Sequence, residues 1–207
     1  MTNDFPSESS SPLEYKQKFH SVGAYDNFSI KKIIKTDIDD SLIGSIGDIH
    51  YSLFSKLKSY WMDSDDATRS IKCDIDRSSD FYVAFHNDVP VGYTVLRLGF
   101  SSAIDEIIDE LNLKNRLVKN NATSKEIEWI GVDNKYSGVG VGSKLLDHIL
   151  LTEKNNNTSA IAALCWCGSN KSAVPLFNKK KFAELAIKKE YFLSDSSDAK
   201  LMLRRLS

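Results

Sequence analysis

The amino-acid sequence predicts an α/β fold of the α+β kind: a mixed, mostly antiparallel twisted sheet flanked by helices on both faces. Three observations point there. Short β-branched and aromatic runs recur, as at residues 28–34, 81–85 and 91–98, and such runs suit pleated, half-buried strands. Segments with apolar residues at helical spacing lie between them, the longest across residues 37–61. Residues 127–146 then read as strand, turn and helix in succession, with Gly138, Gly140 and Gly142 on alternate positions of the turn.

The chain has 207 residues, a length that suits one domain. Hydrophobic residues make up 42% and charged residues 27%, the balance of a soluble globular protein. A net charge of −1 provides no global field to recruit nucleic acid or an anionic membrane. No apolar run approaches the roughly 20 residues of a membrane helix. Residues 1–26 are polar and read as a mobile arm with one short helix near residues 13–19. Residues 1–12 are acidic and Ser-rich and lack the apolar core of a signal peptide. Residues 27–207 are expected to form a single domain, with an inserted helix and loop at about 99–125. Cys165 and Cys167 share a strand face but sit too far apart to bridge, so they read as buried strand residues in a reducing, cytoplasmic setting.

Taken in order, residues 28–34 form the first strand. Ile38, Leu42, Ile46, Ile49, Leu53 and Leu57 then repeat at helical spacing. Gly44 and Gly47 each weaken that helix by up to about 1 kcal/mol relative to Ala, which predicts two helices with a bend. Phe54, Tyr60, Trp61 and Met62 are its aromatic and apolar end. Residues 62–77 are acidic and polar and read as a loop. Residues 81–85 and 91–98 flank the turn at 86–90 and predict a hairpin. Ser102 and Asp105 resemble a capping box, and Ile104, Ile107, Ile108 and Leu111 form the stripe of the inserted helix, followed by a basic, Asn-rich loop at 114–121. Val141, Leu145, Leu146, Ile149 and Leu150 mark the helix after the glycine run. The apolar run at 160–167 predicts a buried strand. A helix beginning at Ser172 tolerates Pro175 in its first turn. Residues 182–193 and 199–206 close the sheet.

The glycine run feeds a helix N-terminus, where unpaired N–H groups and the helix dipole suit a phosphate. A Walker loop would need Gly-Lys-Ser/Thr, but Ser143 follows Gly142. A dinucleotide fingerprint would need G-x-G-x-x-G, but the spacing is G-x-G-x-G. Downstream, Asn170, Ala173, Leu176, Phe177 and Phe182 follow the 160–167 strand. Together these two stretches resemble motifs A and B of the GNAT family of N-acetyltransferases. Gly140 and Gly142 fill the glycines of Arg/Gln-x-x-Gly-x-Gly/Ala, with Ser137 at the Arg/Gln position. Asn170 to Phe182 fit Asn-x-x-Ala-x-x-Leu-Tyr-x-x-x-Gly-Phe, with Phe177 in place of Tyr and Lys181 in place of Gly. The resemblance runs from about Phe28 to the C-terminus and is densest from Glu126 to Phe182.

That resemblance implies direct acetyl transfer from acetyl-coenzyme A, as acyl-donor substrate, to an amine of a small molecule or a protein. It implies that the backbone of Ile130, Gly131 and Val132 lies along the pantetheine arm, with a backbone N–H near Ile130 facing the thioester oxygen. The amides of Ser137, Gly138, Val139, Gly140, Val141, Gly142 and Ser143 would hold the pyrophosphate, with Asn170 and Phe177 completing the coenzyme site. Glu126 precedes Gly140 by the offset of the catalytic glutamate in histone-type members. Glu128 shares its strand face by the period of two. Both are the expected catalytic carboxylates, and Tyr191, Cys167 or water is open as the acid for the leaving thiolate. A protein Lys or N-terminal acetyltransferase is one alternative; a weakly catalytic acyl-coenzyme A sensor, suggested by Ser137 and Phe177, is another. A monomer or homodimer is expected. His20, His50, His86 and His148 are scattered, and no spacing suggests a metal.

Overall fold

A computed structural model of the protein describes residues 27–55, 63–78, 80–112, 123–167, 173–192 and 197–206. The expected arm at residues 1–26, the aromatic and apolar end at Tyr60, Trp61 and Met62, the basic loop at 114–121 and Asn170 lie outside the described residues. β1 (Phe28–Ile33) leads through a 3-10 turn to α1 (Asp40–Phe54) and α2 (Ser64–Arg77). β2 (Asp80–His86) and β3 (Val89–Leu98) form the expected hairpin. Asn87 and Asp88, with φ of 50° and 63°, supply its two-residue turn, because short polar side chains tolerate left-handed backbone best after glycine. Then come α3 (Ser102–Glu110), β4 (Ser124–Val132), α4 (Val141–Asn155), β5 (Ala160–Trp166), α5 (Val174–Lys179), β6 (Ala183–Phe192) and β7 (Ser197–Arg205).

The strands form one seven-stranded sheet in the order β1-β2-β3-β4-β5-β7-β6. Every pairing is antiparallel except β4 with β5, which is parallel because α4 crosses over between them. On one face, α4 and α5 bury Leu145, Leu146, Ile149 and Phe177 against Tyr82, Leu96, Ile127, Ile161 and Met202. On the other face, α1 and α2 bury Ile46, Ile49, Ile71 and Ile75 against Phe81, Val83, Tyr93 and Val95. α3 covers the rest of that second face, setting Ile104, Ile107 and Ile108 on Ala160, Ala162, Leu201 and Leu203.

Three local expectations are corrected. α1 runs unbroken through Gly44 and Gly47. A Cβ at Gly47 would overlap the Thr68 side chain and stand 2.9 Å from its Cα, so this glycine lets α2 approach rather than bending α1. Residues 64–77 are a helix, not a loop. Their apolar stripe is only Ala67, Ile71 and Ile75, all buried, and it is outnumbered by acidic residues that suit a helix start. Asp63 caps it by accepting from Asp66 N–H at 2.9 Å. A smaller shift moves the cap of α3 from Ser102 to Ser101, whose side chain accepts from Ile104 N–H.

The start of β4 is pinned by buried charges. Lys125 Nζ pairs with Asp80 and with Glu153 Oε2, the latter at 2.8 Å, and Thr158 Oγ1 donates to the same oxygen at 2.7 Å. Glu153 is wholly buried near the end of α4. Removing one partner would strand a charge in the core. The network therefore fixes β4 against α4 at the end of the sheet opposite the features described next.

Candidate active site

β4 and β5 pair only over Ser124–Ile127 and Ala160–Ala163. Beyond Ile127, β4 continues to Val132 beside β3 alone, and β5 continues to Trp166 beside β7 alone. The two central strands thus part in the middle of the sheet. Residues 128–132 of β4 line one side of the opening, and among the described residues no strand pairs with them on the β5 side. An extended ligand can lie there without displacing existing sheet pairing.

At the far end of β4, the chain makes a 3-10 turn at Asn134–Tyr136 and enters α4 through the glycine loop. Gly138 and Gly140 have φ of 79° and 99°, values that glycine adopts without strain. A Cβ built on either meets nothing within 4 Å, so the loop presents bare backbone to open space. The first helical bond in α4 runs from Lys144 N–H to the Gly140 carbonyl at 2.9 Å. The amides of residues 141–143 precede it and face outward from the helix end, as an anion site requires. Gly142 has a different reason: its Cβ would stand 3.1 Å from Leu176 of α5. Ser137 is exposed at the mouth of the loop.

The two carboxylates flank the point where the strands part, Glu126 in the last paired stretch and Glu128 just beyond it. The β3–β4 register shifts so that Val95 faces Trp129 and Leu96 faces Ile127, leaving Glu128 as the extra residue of a β-bulge. Past the bulge the alternation is offset: Ile127 and Ile130 both pack toward α4, and Trp129 packs toward α1 and α2. Glu126 is 5% exposed. It accepts the Ser101 backbone N–H at 2.5 Å and the Ser101 hydroxyl at 3.1 Å. Burial raises its pKa, and the Ser101 donors partly offset that rise. Glu128 pairs through Oε1 with Arg97 Nη2 of β3. Tyr191 of β6 lies within the electrostatic reach of Glu126 and Glu106, and burial raises its hydroxyl pKa.

An aromatic wall stands beside the carboxylates. His50 is wholly buried. Its Nδ1 shares a hydrogen bond with the Tyr93 hydroxyl, and its ring packs on Trp129 at 4.6 Å and Phe54 at 4.9 Å. Burial lowers its pKa from 6.5 to about 3, so the imidazole is neutral. Trp129 Nε1 donates to Asp74 of α2 at 2.8 Å. Gly131 is small because a Cβ would crowd Tyr93 and Leu53. Among the described residues no cluster of His, Cys, Asp and Glu is arranged to hold a metal ion. No described helix is long and apolar enough to cross a membrane.

Residues 43–182 match the model of the acetyltransferase (GNAT) family. The chain belongs to the GNAT family. No curated protein matches it. Solved structures share its fold. The ribosomal-protein-S18-alanine N-acetyltransferase of Escherichia coli aligns at 15% identity and a TM-score of 0.59, over 87% of this chain and 95% of that one. A GNAT acetyltransferase of Elizabethkingia anophelis with acetyl-CoA bound aligns at 18% and 0.58, over 87% and 99%. Arabidopsis thaliana NAA60 with a bisubstrate analogue aligns at 14% and 0.64, over 86% and 98%.

The departures from GNAT motif B now have locations. Lys181 stands where that pattern has glycine and holds φ of 60°. It follows α5, and Phe182 N–H returns to the Phe177 carbonyl at 3.1 Å, so the position is the left-handed cap that glycine usually fills. Phe177, implied to touch the coenzyme, is 1% exposed with its ring edge-on to Phe182 at 4.9 Å. Cys165 is buried and Cys167 half-buried at the end of β5, and His148 is half-buried against Tyr82. Sequence reading missed Arg97, Ser101, Asp74 and the His50–Trp129 contact. Only Arg97 carried a signal, as the single charge within the apolar run 91–98.

Proposed function

We propose that this GNAT chain is an acetyl-coenzyme A-dependent N-acetyltransferase that passes the acetyl group directly to an amine of a small molecule or a protein. One observation carries the reading: β4 leaves β5 after Ile127, and the same strand ends in a glycine loop whose amides open on the same side of the chain as a helix N-terminus. An extended arm with an anionic end fits that combination. The acetyl-CoA bound to the Elizabethkingia anophelis relative supports the same donor here. Residues 137–143 would hold the pyrophosphate through backbone amides, and Ile130, Gly131 and Val132 would flank the arm. Asn170 belongs to the same proposed coenzyme site on the family pattern.

The donor supplies a thioester. The chain must supply a place for protons and for charge developing on the carbonyl oxygen. An incoming ammonium gives one proton to the carboxylate pair and on to solvent. The free amine attacks the thioester carbonyl carbon, a C–N bond forms and the C–S bond breaks. The second amine proton goes to the departing sulfur. Glu126 is the proton acceptor of this reading, because a partly desolvated carboxylate binds a proton nearer neutral pH than a solvated one. Backbone N–H groups of the splayed part of β4 are the donors to the carbonyl oxygen.

Thermal melting with acetyl-coenzyme A, followed by thiol release across a panel of amines, tests the proposal. A ligand that binds only the native state at 100 times its Kd stabilises it by about 2.7 kcal/mol, so the melting temperature should rise. Thiol release with at least one amine is expected. No shift at millimolar coenzyme would remove the coenzyme reading. A shift with no transfer to any amine would leave a binding module.

A further inference from the structure

The Arg97–Glu128 pair makes half of the contacts it can make. Guanidinium and carboxylate usually meet through two parallel bonds. Here one bond joins Arg97 Nη2 to Glu128 Oε1. Among the described residues, Arg97 Nε and Glu128 Oε2 are buried with no hydrogen-bond partner. Leaving a buried polar atom unsatisfied is costly, so one on each member of the same ion pair calls for a reason. Their position supplies one. Glu128 is the bulged residue, the first of β4 to lose its β5 neighbour, where the thioester end of the donor would lie. Arg97 stands opposite Glu126 in the strand register, yet its guanidinium reaches past Glu126 to Glu128. Ser101 already occupies Glu126. The two carboxylates are therefore held by different handles.

We propose that Arg97 is a positioning residue for the transfer reaction: it fixes Glu128 by one oxygen so that the other, Oε2, receives the acceptor amine beside Glu126. This rests on the acetyltransferase reading above and adds a residue and a division of labour to it. Glu128 Oε2 takes an N–H of the incoming amine, and Glu126, one strand repeat away, takes the proton. The Arg97 charge opposes the burial that raises the Glu126 pKa. Among the described residues, Asp74 of α2 also acts on Arg97, and Tyr191 of β6 feels Glu126 together with Glu106 of α3 and Lys188 of β6. His50 of α1 lies behind Trp129 as a neutral ring.

Arg97→Met and Arg97→Lys test this, with an amine that the unmodified chain acetylates. Coenzyme affinity should be unchanged in both. Arg97→Met should raise KM for the amine at least tenfold. It should also move the acidic limb of the kcat/KM profile to higher pH, because a carboxylate without its cation holds its proton longer. Arg97→Lys keeps the charge, so its acidic limb should stay in place while KM rises less. An unshifted limb in Arg97→Met, or equal losses in both variants, would reduce Arg97 to a strut in the sheet and overturn the inference. A parallel fall in coenzyme affinity would do the same. If Arg97→Met does not melt cooperatively, Arg97→Gln removes the charge with a shorter polar side chain and decides the same question. A parent chain that transfers acetyl to no amine would overturn the functional reading first, and this inference with it.

Discussion

Glu126 of β4 and Ser101 at the start of α3 are joined by two hydrogen bonds, 2.5 Å from the backbone N–H and 3.1 Å from the hydroxyl. A carboxylate in the middle of the sheet thus also anchors the inserted helix. Glu126→Gln keeps an acceptor for the Ser101 N–H and removes the charge. Acetyl transfer near pH 7 should fall about 10²–10⁴-fold, the usual weight of a general base, with coenzyme affinity unchanged. The deficit should shrink at high pH, where the amine arrives deprotonated. Glu128→Gln should act mainly on KM for the amine. Steady-state kinetics of both variants from pH 6 to about 10 separates the roles. A larger kcat deficit in Glu128→Gln would exchange them.

Gly140 holds φ of 99° immediately before α4. Gly140→Val would place a β-branched side chain in left-handed backbone, at a cost of roughly 1–3 kcal/mol, and over the bare loop surface. Coenzyme affinity should fall about tenfold or more, or about 1.4 kcal/mol. Calorimetric titration reads the affinity and thermal melting reads the strain. Unchanged affinity would place the pyrophosphate elsewhere.

Gly44 and Gly47 lie one turn apart in α1 and should respond in opposite directions. A Cβ at Gly44 meets nothing within 4 Å, so Gly44→Ala should stabilise the protein by up to about 1 kcal/mol through helix propensity. Gly47→Ala drives its methyl into Thr68 and should destabilise by about 1–3 kcal/mol as overpacking does. Urea unfolding of the two variants checks the sign of each.

Lys181 occupies a left-handed cap at φ 60°. The left-handed region costs an ordinary side chain roughly 1–2 kcal/mol. Lys181→Gly should therefore raise stability by about 1 kcal/mol, despite the looser unfolded chain, and leave transfer kinetics alone. A drop in stability would mean that the lysine side chain contributes more than its backbone costs.

His50 gives the fold an acid sensitivity. Its pKa is lowered to about 3 in the folded protein, so the unfolded chain binds the extra proton between that value and 6.5. The stabilisation from a neutral, buried His50 is complete above pH 6.5 and is lost as pH falls. From pH 7 to pH 5 this one group should remove about 2 kcal/mol. His50→Phe cannot take up that proton, so its stability should fall less over the same interval, even if it begins lower through the lost bond to Tyr93. Equal slopes in urea unfolding at the two pH values would show that His50 does not titrate on unfolding.

By itself the sequence determined the sheet, its hairpin, the glycine loop and the family. Those features depend on neighbours a few residues apart: alternation in residues 91–98, helical spacing from Val141 to Leu150, and glycines where backbone must turn left-handed or lie bare. The family resemblance pointed to Glu126, and the strand period added Glu128 beside it on β4. Tertiary structure decided what those carboxylates touch. The period of two placed them on one face, but the bulge at Glu128 offsets the strand, and only the register of β3 fixes where that bulge falls. Arg97, Ser101 and Asp74 reach the site from β3, the start of α3 and α2, through contacts spanning 31, 25 and 55 residues respectively. No local propensity encodes such distances. The same holds for Gly47, whose meaning as a close crossing rather than a helix break appears only once Thr68 is packed against it, and for α2, whose thin stripe of Ala67, Ile71 and Ile75 becomes a helix because α1 and the sheet are there to bury it.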